Sequence, residues 1–362
     1  MAQNAERPLS VLLWMPRGGD IPGGHRIQLD STAAALVRLG VGVEVAVNDQ
    51  PDFRSCAVVH GFGLGADEIH YARSQGRPVA LSTIYWDRSY RADRSGGGLS
   101  LRSLKRRAGL ALRASSAAAR GPSVFFDYCS DSLHEDRWLL AAYEAADLLL
   151  PNSDGEASAI RGDLGVSTPC HVVPNAVDPA RIDVSDGFPS GPAVERTTVL
   201  YVGRIDPHKN QLGLIKALRG TGLRLVIVGY DHPQQIEYAD KCREAGAGWV
   251  EFAPGTPDVG PFYRRSRVHV TPSWFETTGL VSLEAALGGC NVVTTSRGHA
   301  REYLGDLAWY CDPGDKSSIR NAVLAAYGAP VKDDLRQHVL GNFTWDHAAR
   351  ATLEAYSILV DR

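Results

Sequence analysis

The sequence predicts an α/β protein made of two doubly wound parallel-sheet domains. Three observations predict it. Apolar runs of strand length alternate with helical patterns along the chain, the signature of a parallel sheet with helices on both faces. The alternation is interrupted at Val184–Val194, whose Asp186–Pro192 stretch (Asp-Gly-Phe-Pro-Ser-Gly-Pro) has linker composition, and then restarts. The length, 362 residues, suits two domains that each bury a core.

Each element has its own signal. In the first half the strands are Val11–Met15, Val43–Val47, Ala57–His60, Val79–Thr83 and Leu148–Pro151, with a last short one at His171–Pro174. The helices are Ile27–Leu39, Asp67–Ser74, Trp138–Ala146 and Asp154–Leu164. In the second half the strands are Thr198–Val202, Leu223–Val228, Trp249–Phe252, Val268–Thr271 and Asn291–Thr295. The helices there are Leu212–Leu218, Ile236–Ala245 and Gly279–Leu287. Ligands of such sheets bind outside the carboxyl ends of the strands, so a cleft between the two domains is the expected site.

Composition narrows the function. Hydrophobic residues at 44% and charged residues at 22% exclude a mostly disordered chain. With 38 Lys+Arg against 41 Asp+Glu, the formal charge is -3, and nothing requires a nucleic-acid partner. The six cysteines form no C-x-x-C pair and read as reduced thiols of a cytoplasmic protein. The apolar run ending at Met15 is of strand length, is followed by Pro16 and lacks a small-residue cleavage site, so no export signal is read. Trp138–Leu150 is broken by Glu144 and Asp147 and cannot span a bilayer.

Three motifs could carry chemistry. Pro16–His25 places four glycines, Gly23 and Gly24 among them, between the first strand and a helix, where a backbone can approach an anion. It is neither G-x-G-x-x-G nor a P-loop. Tyr201–Asn210 ends the first strand of the second half and puts Arg204 and Lys209 on one turn. A guanidinium grips phosphate oxygens bidentately and an ammonium acts as a point charge, a pair suited to a diphosphate or simply to solvent. Pro272–Gly289 carries Glu276, Thr277 and Thr278 on a loop. Gly279 and Leu280 then open a helix whose N–H groups can face an anion. Glu284 lies six residues past Thr278, a rise of roughly 9 Å along a helix.

Taken together, the glycine loop, Pro174-Asn-Ala-Val-Asp178, Gly203-Arg204 with Lys209-Asn210, and Glu276 with Glu284 resemble the retaining glycosyltransferases of family 4 (glycosyl transferases group 1), which have the GT-B fold. Phe343-Thr-Trp-Asp346 before a final helix also fits. The resemblance implies two Rossmann-like domains facing across a cleft. Residues 1–178 form the acceptor side and residues 179–343 the nucleotide-sugar side, and the helix at about 344–362 packs back on the first. It implies that Arg204 and Lys209 hold the donor diphosphate, that Glu284 binds the ribose hydroxyls, and that Glu276 with the backbone of Thr277–Leu280 faces the donor sugar. Gly23 and Gly24 would close over the diphosphate, and Pro254 and Gly255 lie where the family contacts the base.

The implied reaction moves a sugar from a UDP-, GDP-, ADP- or TDP-linked donor to a saccharide, lipid-linked or small-molecule acceptor hydroxyl, with retention. No metal or other cofactor is expected, because Arg204 and Lys209 neutralise the leaving group. Two alternatives use the same residues: a sugar-nucleotide epimerase on this scaffold, and a non-catalytic sugar-nucleotide-binding partner subunit. Two departures from the family pattern bear on substrate. Thr277 and Thr278 stand where Gly and Phe are frequent, and Leu81–Asp87 lacks the His often found there. His60 and His134 are the nearest histidines, and both read as structural or surface residues.

One stretch is unusually basic: Ser95–Arg120 holds six basic residues, with no acid between Asp93 and Asp127. As a helix it would align Leu101, Leu104, Ala108 and Leu112, flanked by Arg102, Lys105, Arg106 and Arg113. Residues 101–120 then suit either peripheral contact with an anionic inner membrane face or a loop on the acceptor side. Gly109 and the thin apolar stripe weigh toward the loop.

Overall fold

A computed structural model describes residues 9–16, 24–49, 51–86, 137–182 and 196–361. The linker at Val184–Val194, the basic stretch 101–120, His134 and Gly23 lie outside the described residues. The chain divides into two compact units, Met1–Pro174 with Ala348–Arg362, and Asn175–His347.

The first unit is a parallel sheet of β1 (Ser10–Met15), β2 (Gly42–Val47), β3 (Val58–Phe62), β4 (Val79–Ser82) and β5 (Leu148–Leu150), in the order β2-β1-β3-β4-β5. Every residue of β3, β4 and β5 is buried. This is why these strands read as continuous apolar runs rather than as alternations. The helices are α1 (Gly24–Arg38), α2 (Ala66–Ser74), α3 (137–145) and α4 (Asp154–Leu164). Local chemistry sets the ends of α4. The Ser153 hydroxyl accepts from the Glu156 N–H, and Gly165, at φ 70°, ends the helix in the left-handed conformation.

His171–Pro174 is not a strand. Residues 169–173 run beside β5, with Leu149 N–H donating to Pro169, His171 N–H to Leu149 and Val173 N–H to Pro151. Only Leu149 and Cys170 form a bridge. The next bridge would need an N–H from Pro151 to His171, and proline has none, so the ladder stops after one bridge and the segment follows the sheet edge without joining it.

The second unit is a parallel sheet of β6 (Thr198–Val202), β7 (Arg224–Gly229), β8 (Val250–Pro254), β9 (Ser266–Thr271), β10 (Asn291–Thr295) and β11 (Trp309–Cys311), in the order β11-β10-β9-β6-β7-β8. Its two faces make two cores, because successive strand residues point to opposite sides. Val199, Tyr201, Leu225 and Ile227 pack with α5 (Gln211–Leu218), α6 (Ile236–Gly246) and α10 (Lys316–Gly328). Leu200, Val202, Val226 and Val228 pack with α7 (Gly260–Arg265), α8 (Leu280–Leu287), α9 (Ala300–Leu304) and α11 (Asp334–Asn342). Beyond Asn291–Thr295 the apolar pattern does not announce α9, β11, α10 and α11. They are short, or they carry a thin apolar stripe, as α10 does with Ile319 and Val323 beside Ala322 and Ala326.

The last helix, α12 (Trp345–Val360), buries Ala348, Ala349, Thr352, Ala355, Tyr356 and Leu359 at helical spacing. Within the first unit, His60 on β3 shares hydrogen bonds with Tyr356 Oη through Nδ1 (2.7 Å) and with Ser82 Oγ through Nε2 (2.8 Å). Burial lowers the His60 pKa to about 3, which keeps the ring neutral and marks it as structural. Cys56, Cys242, Cys290 and Cys311 are buried free thiols. Among the described residues no helix is long and apolar enough to cross a membrane.

Candidate functional site

The expected cations and glutamates meet at the carboxyl ends of β6 and β9, which are neighbouring strands. Past β6 the chain turns through Gly203 and Arg204 to Asp206. This Asp caps the 3-10 turn Pro207–Lys209 by accepting from His208 N–H (2.8 Å) and Lys209 N–H (3.2 Å). The same carboxylate accepts from Arg204 Nε at 2.7 Å, so the guanidinium is aimed by a buried acid while its side chain stays 41% exposed. Asn210 then takes a left-handed conformation at φ 58°. Its Nδ2 donates to the carbonyls of Pro272 (3.1 Å) and Pro313 (2.9 Å), which ties the turn to the loop after β9.

That loop carries Glu276. Lys209 Nζ donates to Glu276 Oε1 at 2.7 Å. Burial alone would push the Glu276 carboxyl up, but the Lys209 ammonium and the His208 side chain more than offset it, and the group titrates below its ordinary value. Glu276 is therefore held as a carboxylate, an acceptor only. Its backbone is clamped as well, since Glu276 N–H donates to Arg297 and His299 N–H donates to Glu276. Gly298 makes the clamp possible, at φ 90° and with its α-carbon so close to the Glu276 carbonyl that a Cβ would overlap it.

Thr277 is half-buried, and the buried Thr278 donates its hydroxyl to Tyr303 Oη at 3.3 Å. The Tyr303 oxygen also accepts from Asn175 N–H, which anchors the Pro174–Asp178 motif beneath the loop. Gly279, at φ 77°, is the N-cap of α8, and no side chain caps that terminus. The N–H groups from Leu280 onward begin the helix there, with the positive end of its dipole. One turn on, Glu284 Oε2 accepts from Tyr263 Oη at 3.0 Å, and burial raises its carboxyl above the ordinary value. Pro254 closes β8 and Gly255 follows it, both exposed, two strands from β6 in the sheet order.

Thus Arg204, Lys209, Glu276, Thr277, Thr278, Gly279, Leu280 and Glu284 share one end of one sheet, and Pro254 and Gly255 lie along the same edge. Gly24 is the first residue of α1 in the other unit. In that unit the carboxyl ends of β4 and β5 are organised by the fully buried Glu156. It accepts from Thr83 Oγ1 and Tyr85 N–H (both 2.8 Å), and from Asn152 N–H at 2.8 Å. Burial raises Glu156 to about 7 against these donors.

Four supporting residues escape the motif reading. Asp206 had a local signal, an Asp directly before Pro207 at a turn start. Gly298 follows the strand β10 in a turn, a weaker sign. Tyr263 and Tyr303 have no sequence signal, because only the fold brings their hydroxyls to Glu284 and Thr278.

Residues 186–338 match the sequence profile of the family described as Glycosyl transferases group 1. The O-antigen chain mannosyltransferase B of Escherichia coli is 28% identical over 177 residues, covering 44% of this chain and 45% of that protein. The chain spans about half the length of the curated relatives it matches first. Among solved structures, sucrose-phosphate synthase from Thermosynechococcus elongatus superposes with a TM-score of 0.69 at 17% identity, covering 98% of this chain and 99% of that one. Anabaena Alr3699/HepE in complex with UDP-glucose gives 0.66 at 16% identity, covering 96% and 99%. This likeness establishes the fold as GT-B, two Rossmann-like parallel-sheet domains.

Proposed function

We propose that the protein is a retaining, metal-independent glycosyltransferase that moves a sugar from a nucleotide-sugar donor to an acceptor hydroxyl. One observation carries the reading. Arg204 and Lys209 are held by buried carboxylates, Asp206 and Glu276, beside the uncapped N-terminus of α8. That is a preorganised receptor for an anion, since cations and helix N–H groups are fixed before a ligand arrives. The profile match and the UDP-glucose-bound structural relative support a nucleotide sugar as that ligand. The epimerase and the non-catalytic subunit gain no support from these relatives.

In this reading the donor diphosphate lies against Arg204, Lys209 and the backbone of Thr278–Leu280. Glu284 accepts hydrogen bonds from the ribose, and Glu276 accepts from hydroxyls of the donor sugar. Breaking the bond from the anomeric carbon to the diphosphate leaves the electron pair on the leaving oxygen, where the two cations stabilise it. The acceptor oxygen bonds to the same face of the sugar, and its proton passes to a phosphate oxygen of the leaving group. The acceptor is a saccharide, a lipid-linked sugar or a small molecule, and the protein acts in the cytoplasm or at the inner membrane face.

The test is nucleotide release from UDP-, GDP-, ADP- and TDP-sugars, with the anomeric configuration of the product read by NMR. One donor class is turned over with retention, and EDTA leaves the rate unchanged. Arg204→Ala lowers kcat/KM about tenfold to a thousandfold, the scale of losing one fixed charge stabiliser. An inverted product, a divalent-metal requirement or normal turnover by the variant would refute the corresponding part.

A further inference from the structure

An exposed aromatic ring stands on the same sheet edge and has no part in either core. Tyr230 follows β7 directly and is 52% exposed. Its backbone is held on one side by the β6 turn, with Ile205 N–H donating to the Tyr230 carbonyl (2.9 Å) and His232 N–H donating to the Ile205 carbonyl (3.2 Å). Next to it, Asp231 accepts from Arg243 Nη2 at 2.8 and 2.9 Å. Past the end of β7 the chain keeps the β6 register through the single Ile205–Asp231 bridge, and side-chain alternation continues with it. Val226 and Val228 face the core that contains α8, so Tyr230 emerges on that same face, the one that bears Glu284. On its other side the ring borders Gly255, where a Cβ would come to 3.1 Å of Tyr230 Cδ1.

Resting on the donor-site reading above, we propose that Tyr230 is the stacking platform for the nucleobase of the donor. The ring sits between the turn that grips the diphosphate and the Pro254–Gly255 turn, on the face from which Glu284 would hold the ribose. A nucleoside diphosphate with its phosphates at Arg204 and its ribose at Glu284 extends its base toward this ring. An aromatic side chain on a rigid backbone offers a π-face at little entropic cost, and every base has a face to lay on it. The absence of a side chain at Gly255 leaves the ring uncovered.

The experiment is titration calorimetry of the full chain with UDP, GDP, ADP, TDP and inorganic pyrophosphate, for wild type, Tyr230→Ala and Tyr230→Phe. Tyr230→Ala weakens the preferred nucleoside diphosphate about fivefold to a hundredfold, the range measured for removing a base-stacking ring. Pyrophosphate binding stays at its wild-type value, and Tyr230→Phe retains nucleotide affinity. The platform is overturned if Tyr230→Ala binds the nucleotide like wild type, or if it loses pyrophosphate as strongly as nucleotide. Wild type that binds no nucleoside diphosphate would instead overturn the donor-site reading. Equal thermal unfolding of the three proteins shows that all are folded.

Discussion

Removing Lys209 should destabilise the second unit with a pH dependence that identifies the cause. Lys209 Nζ and Glu276 Oε1 are 2.7 Å apart, and the two side chains are 25% and 9% exposed. Breaking a buried ion pair from one side costs about 3–5 kcal/mol, because the remaining charge is left without a partner. Lys209 is a quarter exposed, so water partly replaces it, and about 2–3 kcal/mol is expected for Lys209→Ala at pH 7.5. For a unit of this size that is a fall of roughly 4–12 °C in Tm.

The wild-type and variant proteins should respond to pH in opposite directions. In the wild type the folded Glu276 carboxyl lies below its unfolded value, so its contribution is full above that value and fades as pH falls through the folded pKa. In Lys209→Ala, burial acts with less opposition and the folded pKa rises above the unfolded one. The penalty is then full at neutral pH and disappears as pH falls through the raised pKa toward about 4. Calorimetric scans from pH 4.5 to 8 should show the two proteins converging as pH falls. The double variant Lys209→Ala/Glu276→Gln should recover most of the loss at pH 7.5, since no bare charge remains. A variant within 1 °C of wild type at pH 7.5, or a double variant no better than the single one, would show that no bare buried charge is left when Lys209 is removed.

Two further variants test other parts of the site. Glu284→Ala should raise the Kd for the preferred nucleoside diphosphate about tenfold, on the scale of a hydrogen bond to a charged group, with kcat changing less than affinity. Because burial raises the Glu284 carboxyl, wild-type nucleotide affinity should fall with acidification from above the ordinary carboxylate range, and Glu284→Ala should flatten that limb. Gly298→Ala combines a positive φ with overlap on the Glu276 carbonyl, so it should cost about 2–5 kcal/mol in thermal or denaturant unfolding. The same variant should reduce turnover by displacing Glu276, and a variant of unchanged stability would show that the loop yields easily.

Much of the fold is written locally. Fully buried parallel strands such as β3, β4 and β5 are mostly apolar, with His60 and Ser82 tolerated because they bond each other, so each is visible as a short run between breakers. Ser153 and Gly165 mark both ends of α4 through one hydroxyl and one left-handed glycine, interactions that span only a few residues. The candidate site residues were legible for a similar reason, since each motif lies on one strand-to-helix turn and is short enough to be read as a unit. His171–Pro174 shows where such reading stops. Its apolar pattern suits a strand, but strand identity depends on a partner's hydrogen bonds as well, and Pro151 beside it has no N–H to donate.

Which turns meet, and which side chains pair across them, is settled at longer range. The order β11-β10-β9-β6-β7-β8 puts the end of β6 beside the end of β9, and that adjacency joins Lys209 to Glu276. Neither residue's own neighbours encode the pair, and the depressed Glu276 carboxyl exists only because burial and the ammonium coincide there. Tyr263 reaches Glu284, and Tyr303 joins Asn175 to Thr278, through helices packed on one sheet face. Tyr230 reads in sequence as one aromatic among 13 tyrosines, and it becomes a platform only when a neighbouring strand fixes its backbone and a glycine borders its ring. Local pattern determines the strands and turns because propensity and burial act residue by residue. Partners and charge states belong to the packed sheet, where distances of a few ångströms connect residues far apart in the chain.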